Sequence, residues 1–172
     1  MTRTEDGRVA ETAASPSSAL VAVTERFDLA KRLVKRVDGT NGADTADALA
    51  GITRHTITPG ETLLVATTDA ELPAPGYDAD AGTLIVDSSS SQAVFRLSGE
   101  KARAVAAKGA AIDLDDRHFP VTASTVCRFG AYRVLLHRAE ADSYELHVDR
   151  SLGEALRKHL LDLGAEFGVT ER

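Results

Sequence analysis

The sequence predicts an α+β fold, an antiparallel sheet with helices packed on it. Two observations predict it. The order strand, turn, strand, helix occurs twice between residues 83 and 172, giving two β-hairpin-α units. The same stretch holds 28 of the 46 apolar residues larger than alanine, so the ordered core is weighted toward it. A length of 172 residues suits one domain, and with no Trp the chain has few large anchors for packing.

Residues 1–19 offer only Met1 and Val9 as sizeable apolar groups and are expected to form a flexible tail. Residues 20–172 are expected to be the single folded domain. Leu20 to Val37 carries Val23, Phe27 and Val34 with Arg26, Lys31, Arg32, Lys35 and Arg36, which reads as a short helix or a docking segment. Residues 38–49 read as a loop, and Gly51 to Ile57 and Thr62 to Thr67 as β-stretches or turns. Glu61 to Ala66 is apolar and β-branched for long enough to be a strand, and residues 71–82 form a turn-rich connection.

The first β-hairpin-α unit follows. Thr83–Asp87 and Ala93–Leu97 are predicted strands joined by a turn at Ser88–Ser91. Ser98 is the expected N-cap of a helix that buries Ala102, Val105 and Ala106 and stops at Gly109. In the second unit, Arg133–Arg138 and Tyr144–Val148 make a hairpin around Glu140–Ser143. Tyr144, Leu146 and Val148 alternate onto one face, with Glu145 and His147 on the other. Ser151 and Glu154 read as a capping box. Leu152, Leu156, Leu160, Leu163 and Phe167 then form one stripe of an amphipathic helix ending at Gly168.

Charge and chemistry narrow the function. The net charge of −6 argues against a nucleic-acid binder. No run of apolar residues is long enough to span a membrane as a helix, and the first residues lack the hydrophobic stretch of a signal peptide. With a single cysteine, these features lead to an expected cytoplasmic location.

His55, His118, His137, His147 and His159 show no metal-ligand spacing. His137 and His147 lie on paired strands that could bring them together, but the plainer reading is two solvent-facing residues. Cys127 reads as a structural thiol rather than a nucleophile, Ser88–Ser91 as a polar turn, and Asp113, Asp115 and Asp116 as loop charge rather than a cation site. No dinucleotide or P-loop glycine pattern occurs. No catalytic, cofactor-binding or metal residue is assigned to this chain.

A set of ordered segments nevertheless resembles the gamma-subunit family of heterotetrameric sarcosine oxidase. Ile85-Val86-Asp87-Ser88-Ser89 and Leu97-Ser98-Gly99-Glu100-Lys101-Ala102-Arg103 are similar to its V-D-x-S and I-S-G-P-x-A-R. Ala107-Lys108-Gly109-Ala110-Ala111-Ile112-Asp113-Leu114 with Phe119-Pro120 is similar to A-K-G-C-P-L-D-L and F-P. Val134–Arg138, Tyr144–Val148, Arg150-Ser151 and Glu166-Phe167-Gly168 resemble V-L-L-x-R, F-x-L-x-V, R-S and E-F-G. The resemblance spans residues 83–169. The family's Cys-Pro is Ala110-Ala111 here, its Pro after Ser-Gly is Glu100, and Leu and His stand for Trp in the last helix.

The resemblance implies the folate-binding, aminomethyltransferase-like fold and membership of a complex with alpha, beta and delta subunits. That complex oxidises sarcosine to glycine, passes the one-carbon unit to tetrahydrofolate and makes hydrogen peroxide. It implies FAD, FMN, NAD, tetrahydrofolate and zinc on the other subunits, no cofactor on this one, and partners that are neither nucleic acid nor membrane. The implied role is structural. The alternatives are a stand-alone folate-binding aminomethyltransferase-like protein and a dimeric scaffold.

Overall fold

The computed structural model describes residues 20–37, 51–69 and 72–172. The expected tail at 1–19 and the loop at 38–49 lie outside the described residues. In chain order the elements are β1 (Ala22–Glu25), β2 (Ala30–Arg36), β3 (Thr53–Thr58), β4 (Glu61–Ala66), β5 (Gly76–Asp78), β6 (Thr83–Asp87) and β7 (Gln92–Ser98). After these come α1 (Ala102–Gly109), β8 (Ser124–Phe129), β9 (Tyr132–Glu140), β10 (Ser143–Asp149), α2 (Gly153–Gly164) and β11 (Thr170–Glu171).

Among the described residues the strands form two sheets. One has the order β11-β1-β7-β10-β9-β8 and the other β3-β4-β2-β6-β5. All pairings are antiparallel except that of β1 with β11. Both helices cover one face of the six-stranded sheet. Phe95, Leu97, Val134, Leu136, Tyr144, Leu146 and Val148 meet Ala102, Val105, Leu156 and Leu160 there, all nearly sealed from solvent. Full burial of a leucine such as Leu156 or Leu160 contributes roughly 1.5–3 kcal/mol. The other face packs on the five-stranded sheet, where Leu63, Val65 and Leu135 meet with Leu29, Ile57 and Val126. The expected fold class is therefore observed, with a second sheet added beneath the first.

Several local expectations are corrected. Leu20 to Val37 is two strands, not a helix. Its residues alternate, so that Lys31 and Leu33 oppose Val65 and Leu63 while Arg32 and Val34 oppose Leu64 and Thr62. Thr83–Asp87 and the strand after it are not a hairpin, because β6 pairs β2 in one sheet and β7 pairs β1 and β10 in the other. The serine run carries the chain across: Ser88 N–H donates to the Lys31 carbonyl at 3.0 Å, and Lys31 N–H donates to Ser89 Oγ at 3.0 Å. Those bonds tie the crossover to β2.

Ser98 does not cap α1, since it is held in β7 opposite Ala22 and Ser143. The helix starts only at Ala102, after Gly99 at φ +120°, where a side chain would run into the Leu20 carbonyl. The Ser151–Glu154 capping box is also absent. Asp149 Oδ1 accepts from Ser151 N–H at 2.9 Å and opens a 3-10 turn at Arg150–Leu152, so α2 begins only at Gly153. Glu154 instead holds Arg157 through two bonds of 2.8 Å. The stripe Leu156, Leu160 is buried as expected, but Leu152 is exposed. The helix gives way to a 3-10 turn at Ala165–Phe167, closed by Gly168 at φ +66°. The turn-rich connection contains the short β5, and β3 occupies the stretch around His55.

Candidate functional site

Strand alternation sends one set of side chains from β7, β9 and β10 toward the helices and the other set toward the second sheet. The second set is polar at its centre. His137 and Glu145 are directly opposite on paired strands, and His147 follows Glu145 by two on the same face. From the facing sheet, β3 brings His55 edge-on to His137 at 4.7 Å between ring centroids, and to His147 at 5.6 Å. All four are buried: His55 and His147 are 1% exposed, His137 6% and Glu145 7%.

Glu145 is the electrostatic centre of this layer. Its Oε1 accepts from Arg96 Nη2 at 2.8 Å and from Arg26 Nη1 at 2.9 Å, and its Oε2 lies 3.5 Å from His137 Nδ1. Arg26 also grips Asp28 through two bonds of 2.7 Å, so the ion-pair chain runs from the surface inward. Burial alone would raise the Glu145 carboxyl, but hydrogen bonds from His137 and Arg96 and the arginine charge hold it down at about 2.

The imidazoles respond to burial in the opposite sense. Burial, with His137 beside it, lowers His55 to about 4. Burial, with His55 beside it, lowers His147 to about 3. Both rings are therefore neutral near pH 7. His147 has neither ring nitrogen hydrogen-bonded, and His55 Nδ1 is also without a partner. Lys31, 2% exposed, enters the same layer, donates Nζ to the Gln92 carbonyl at 3.1 Å, and is lowered to about 8 by burial. The rings pack edge against face, and among the described residues no group of three or more His, Cys, Asp or Glu is arranged to hold a metal ion.

The reading of His137 and His147 as solvent-facing is thus overturned: the second sheet covers the face that alternation alone would assign to water. Sequence reasoning placed Glu145 on the same face as His147 but missed His55 and Lys31 as companions of this set. One signal was present, since a solvated face would not also carry Leu135 and Val94, which share it.

The remaining candidates stay apart from this layer. His118 pairs with Asp113 at 2.6 Å on the surface, and His159 packs at right angles to Phe129. Asp115 and Asp116 are matched by Arg103, Arg117 and Arg138. Cys127 is half-buried and burial raises its thiol, which disfavours the thiolate. It lines an open depression of about 520 Å3 with Val126, Arg128, Ala131 and Arg133.

The family model described as "Sarcosine oxidase, gamma subunit family" matches residues 46–166. No curated protein matches the sequence. Among solved structures, a chain of the heterotetrameric sarcosine oxidase from Corynebacterium sp. U-96, in complex with pyrrole 2-carboxylate, is similar at 23% identity. The match covers 91% of this chain and 90% of that one, with a TM-score of 0.72. The glycine cleavage system aminomethyltransferase T from Bartonella henselae is similar at 12% identity over 89% of this chain and 48% of that one, with a TM-score of 0.56. Among the described residues no helix is long and apolar enough to cross a membrane.

Proposed function

This chain belongs to the sarcosine oxidase gamma subunit family, and from that membership we propose that it is the non-catalytic, structural subunit of a heterotetrameric oxidase that oxidatively demethylates sarcosine to glycine. Its partners are the alpha, beta and delta subunits, in the cytoplasm. FAD, FMN, NAD, tetrahydrofolate and zinc belong to those subunits, and residues 20–172 act as one folded domain with residues 1–19 as a tail.

The observation that carries this reading is the sealing of the polar layer. His55, His137, His147 and Glu145 are the side chains best suited to acid–base work, yet all are buried between two sheets, where no substrate atom reaches them. Their Arg26 and Arg96 partners neutralise the carboxylate rather than leave it free for a reaction. A layer of this kind fixes how two sheets sit on each other, which suits a chain whose work is to hold a shape.

The test compares the isolated chain with the co-expressed complex. The chain alone should show no flavin absorbance and no peroxide production from sarcosine, and it should co-purify with the larger subunits. Flavin on the isolated chain, or turnover by it, would overturn the structural reading. Micromolar tetrahydrofolate binding by the chain alone, measured by calorimetry, would support the stand-alone folate-binding protein instead.

A further inference from the structure

The face of the five-stranded sheet that meets the six-stranded sheet is only partly covered. On β4 it carries Leu63 and Val65 into the inter-sheet layer, and β3 adds His55. The register continues the same face outward: Val86 on β6 opposes Leu33 on β2, Leu84 opposes Lys35, and Tyr77 on the edge strand β5 opposes Leu84. These outer residues are bare. Tyr77 is 61% exposed, Val86 43% and Leu84 36%, and Val37, next in alternation after Lys35, is 63% exposed. Four of the seven exposed large hydrophobic residues among the described residues thus fall on one continuous sheet face. Scattered apolar residues on a surface need no explanation, but a contiguous row does.

The chain's own remaining segments have little to cover it with. Residues 1–19 and 38–50 contain Met1, Val9 and Leu49 as their only sizeable apolar residues. The rim supplies a sign. Asp80, exposed in the β5–β6 turn beside this face, has no cation partner among the described residues, while Asp78, opposite Thr83, alternates onto the other face.

We propose that this face, formed by β2, β6 and β5, docks the chain onto another subunit of the oxidase, which meets it with an apolar patch flanked by basic side chains. The proposal rests on the subunit reading above and adds the surface and the chemistry of its partner. An apolar centre excludes water while the charged rim sets orientation and association rate.

The experiment co-expresses the tagged full chain with the other subunits and measures their recovery. Val86→Arg places a charge at the centre of the face, Asp80→Lys reverses the rim, and Val121→Arg does the same to an exposed apolar residue elsewhere. Wild type and Val121→Arg should recover the partners equally, while Val86→Arg should lower recovery about tenfold or more. Asp80→Lys should weaken it severalfold, with the loss largest at low salt. Circular dichroism confirms that each variant is folded, and Tyr77→Arg, on the most exposed of these strand residues, replaces Val86→Arg if that variant is not.

Full recovery by a folded Val86→Arg chain overturns the docking surface and leaves the subunit reading intact. No recovery by wild type overturns the subunit reading itself, and the docking surface with it. If the isolated wild type is a dimer that Val86→Arg turns into a monomer without changing partner recovery, the face belongs to a second copy and the proposal fails.

Discussion

Acid should destabilise this fold well above the pH at which surface carboxylates titrate, because of two histidines. In the unfolded chain His55 and His147 take up protons as pH falls through their ordinary value of 6.5. In the fold, burial holds them neutral until about 4 and about 3. Below 6.5 the unfolded state therefore binds up to two more protons than the native state, so stability present at neutral pH is lost as pH falls. The slope approaches ~1.4 kcal/mol per pH unit for each proton, and the interval from 6.5 to 5 gives about 2 kcal/mol per histidine, or about 4 kcal/mol for the pair. That is a large share of the ~5–15 kcal/mol by which domains are stable. Glu145, held at about 2, acts in the same direction once pH falls through the ordinary carboxylate range, with its stabilisation lost only in stronger acid. Lys31, Arg26 and Arg96 are the cations nearest this layer, and none of them favours a charged imidazole.

Urea denaturation followed by far-UV circular dichroism at intervals from pH 7.5 to 5, at constant ionic strength, measures the effect. The double variant His55→Leu, His147→Leu should lose most of the slope. It should also be at least as stable as wild type at pH 7, because it removes three buried ring nitrogens without hydrogen bonds, each costing about 1–3 kcal/mol. A wild-type stability that is flat across this range, or a double variant with the wild-type slope, would refute the reasoning.

Other perturbations follow from the same contacts. Glu145→Ala should destabilise the chain by about 1–3 kcal/mol, read as a lower urea midpoint, since Arg96 loses its carboxylate partner and Arg26 keeps only Asp28; Glu145→Gln should cost less. Gly109→Ala should lower the melting temperature, with a cost of about 1–3 kcal/mol outweighing alanine's better helix propensity. The added methyl would overlap the buried Phe129 ring, and an unchanged or raised melting temperature would count against that contact. Cys127 should react with iodoacetamide several times more slowly in the folded chain than in urea, because burial disfavours the thiolate; equal rates would show an accessible, ordinary thiol.

Much of the fold was legible locally. Glu61–Ala66, the β9–β10 hairpin and the Leu156, Leu160 stripe declare themselves through apolar period and turn residues, which belong to neighbours in sequence. The strands β1 and β2 were hidden because neither is strongly apolar, and their partners are remote: Ala22 pairs Ser98 and Thr170, and Leu33 pairs Leu63 and Val86. The assignment of β6 and β7 to different sheets was invisible for a related reason. A short serine turn serves a hairpin or a crossover equally well, and only the bonds to Lys31 choose between them.

By itself, then, the sequence determined the fold class, the helix-bearing half with its core, and the family resemblance, because composition, periodicity and ordered motifs are carried by the chain's own order. Tertiary structure decided the fate of the polar residues. Alternation assigns His137, Glu145 and His147 to the face opposite Tyr144, Leu146 and Val148, but whether that face meets water or another sheet depends on where remote strands pack. The second sheet settles it, turning an apparent surface into a sealed layer in which burial keeps His55 and His147 neutral. The same sheet extends past the first and leaves Tyr77, Leu84 and Val86 uncovered.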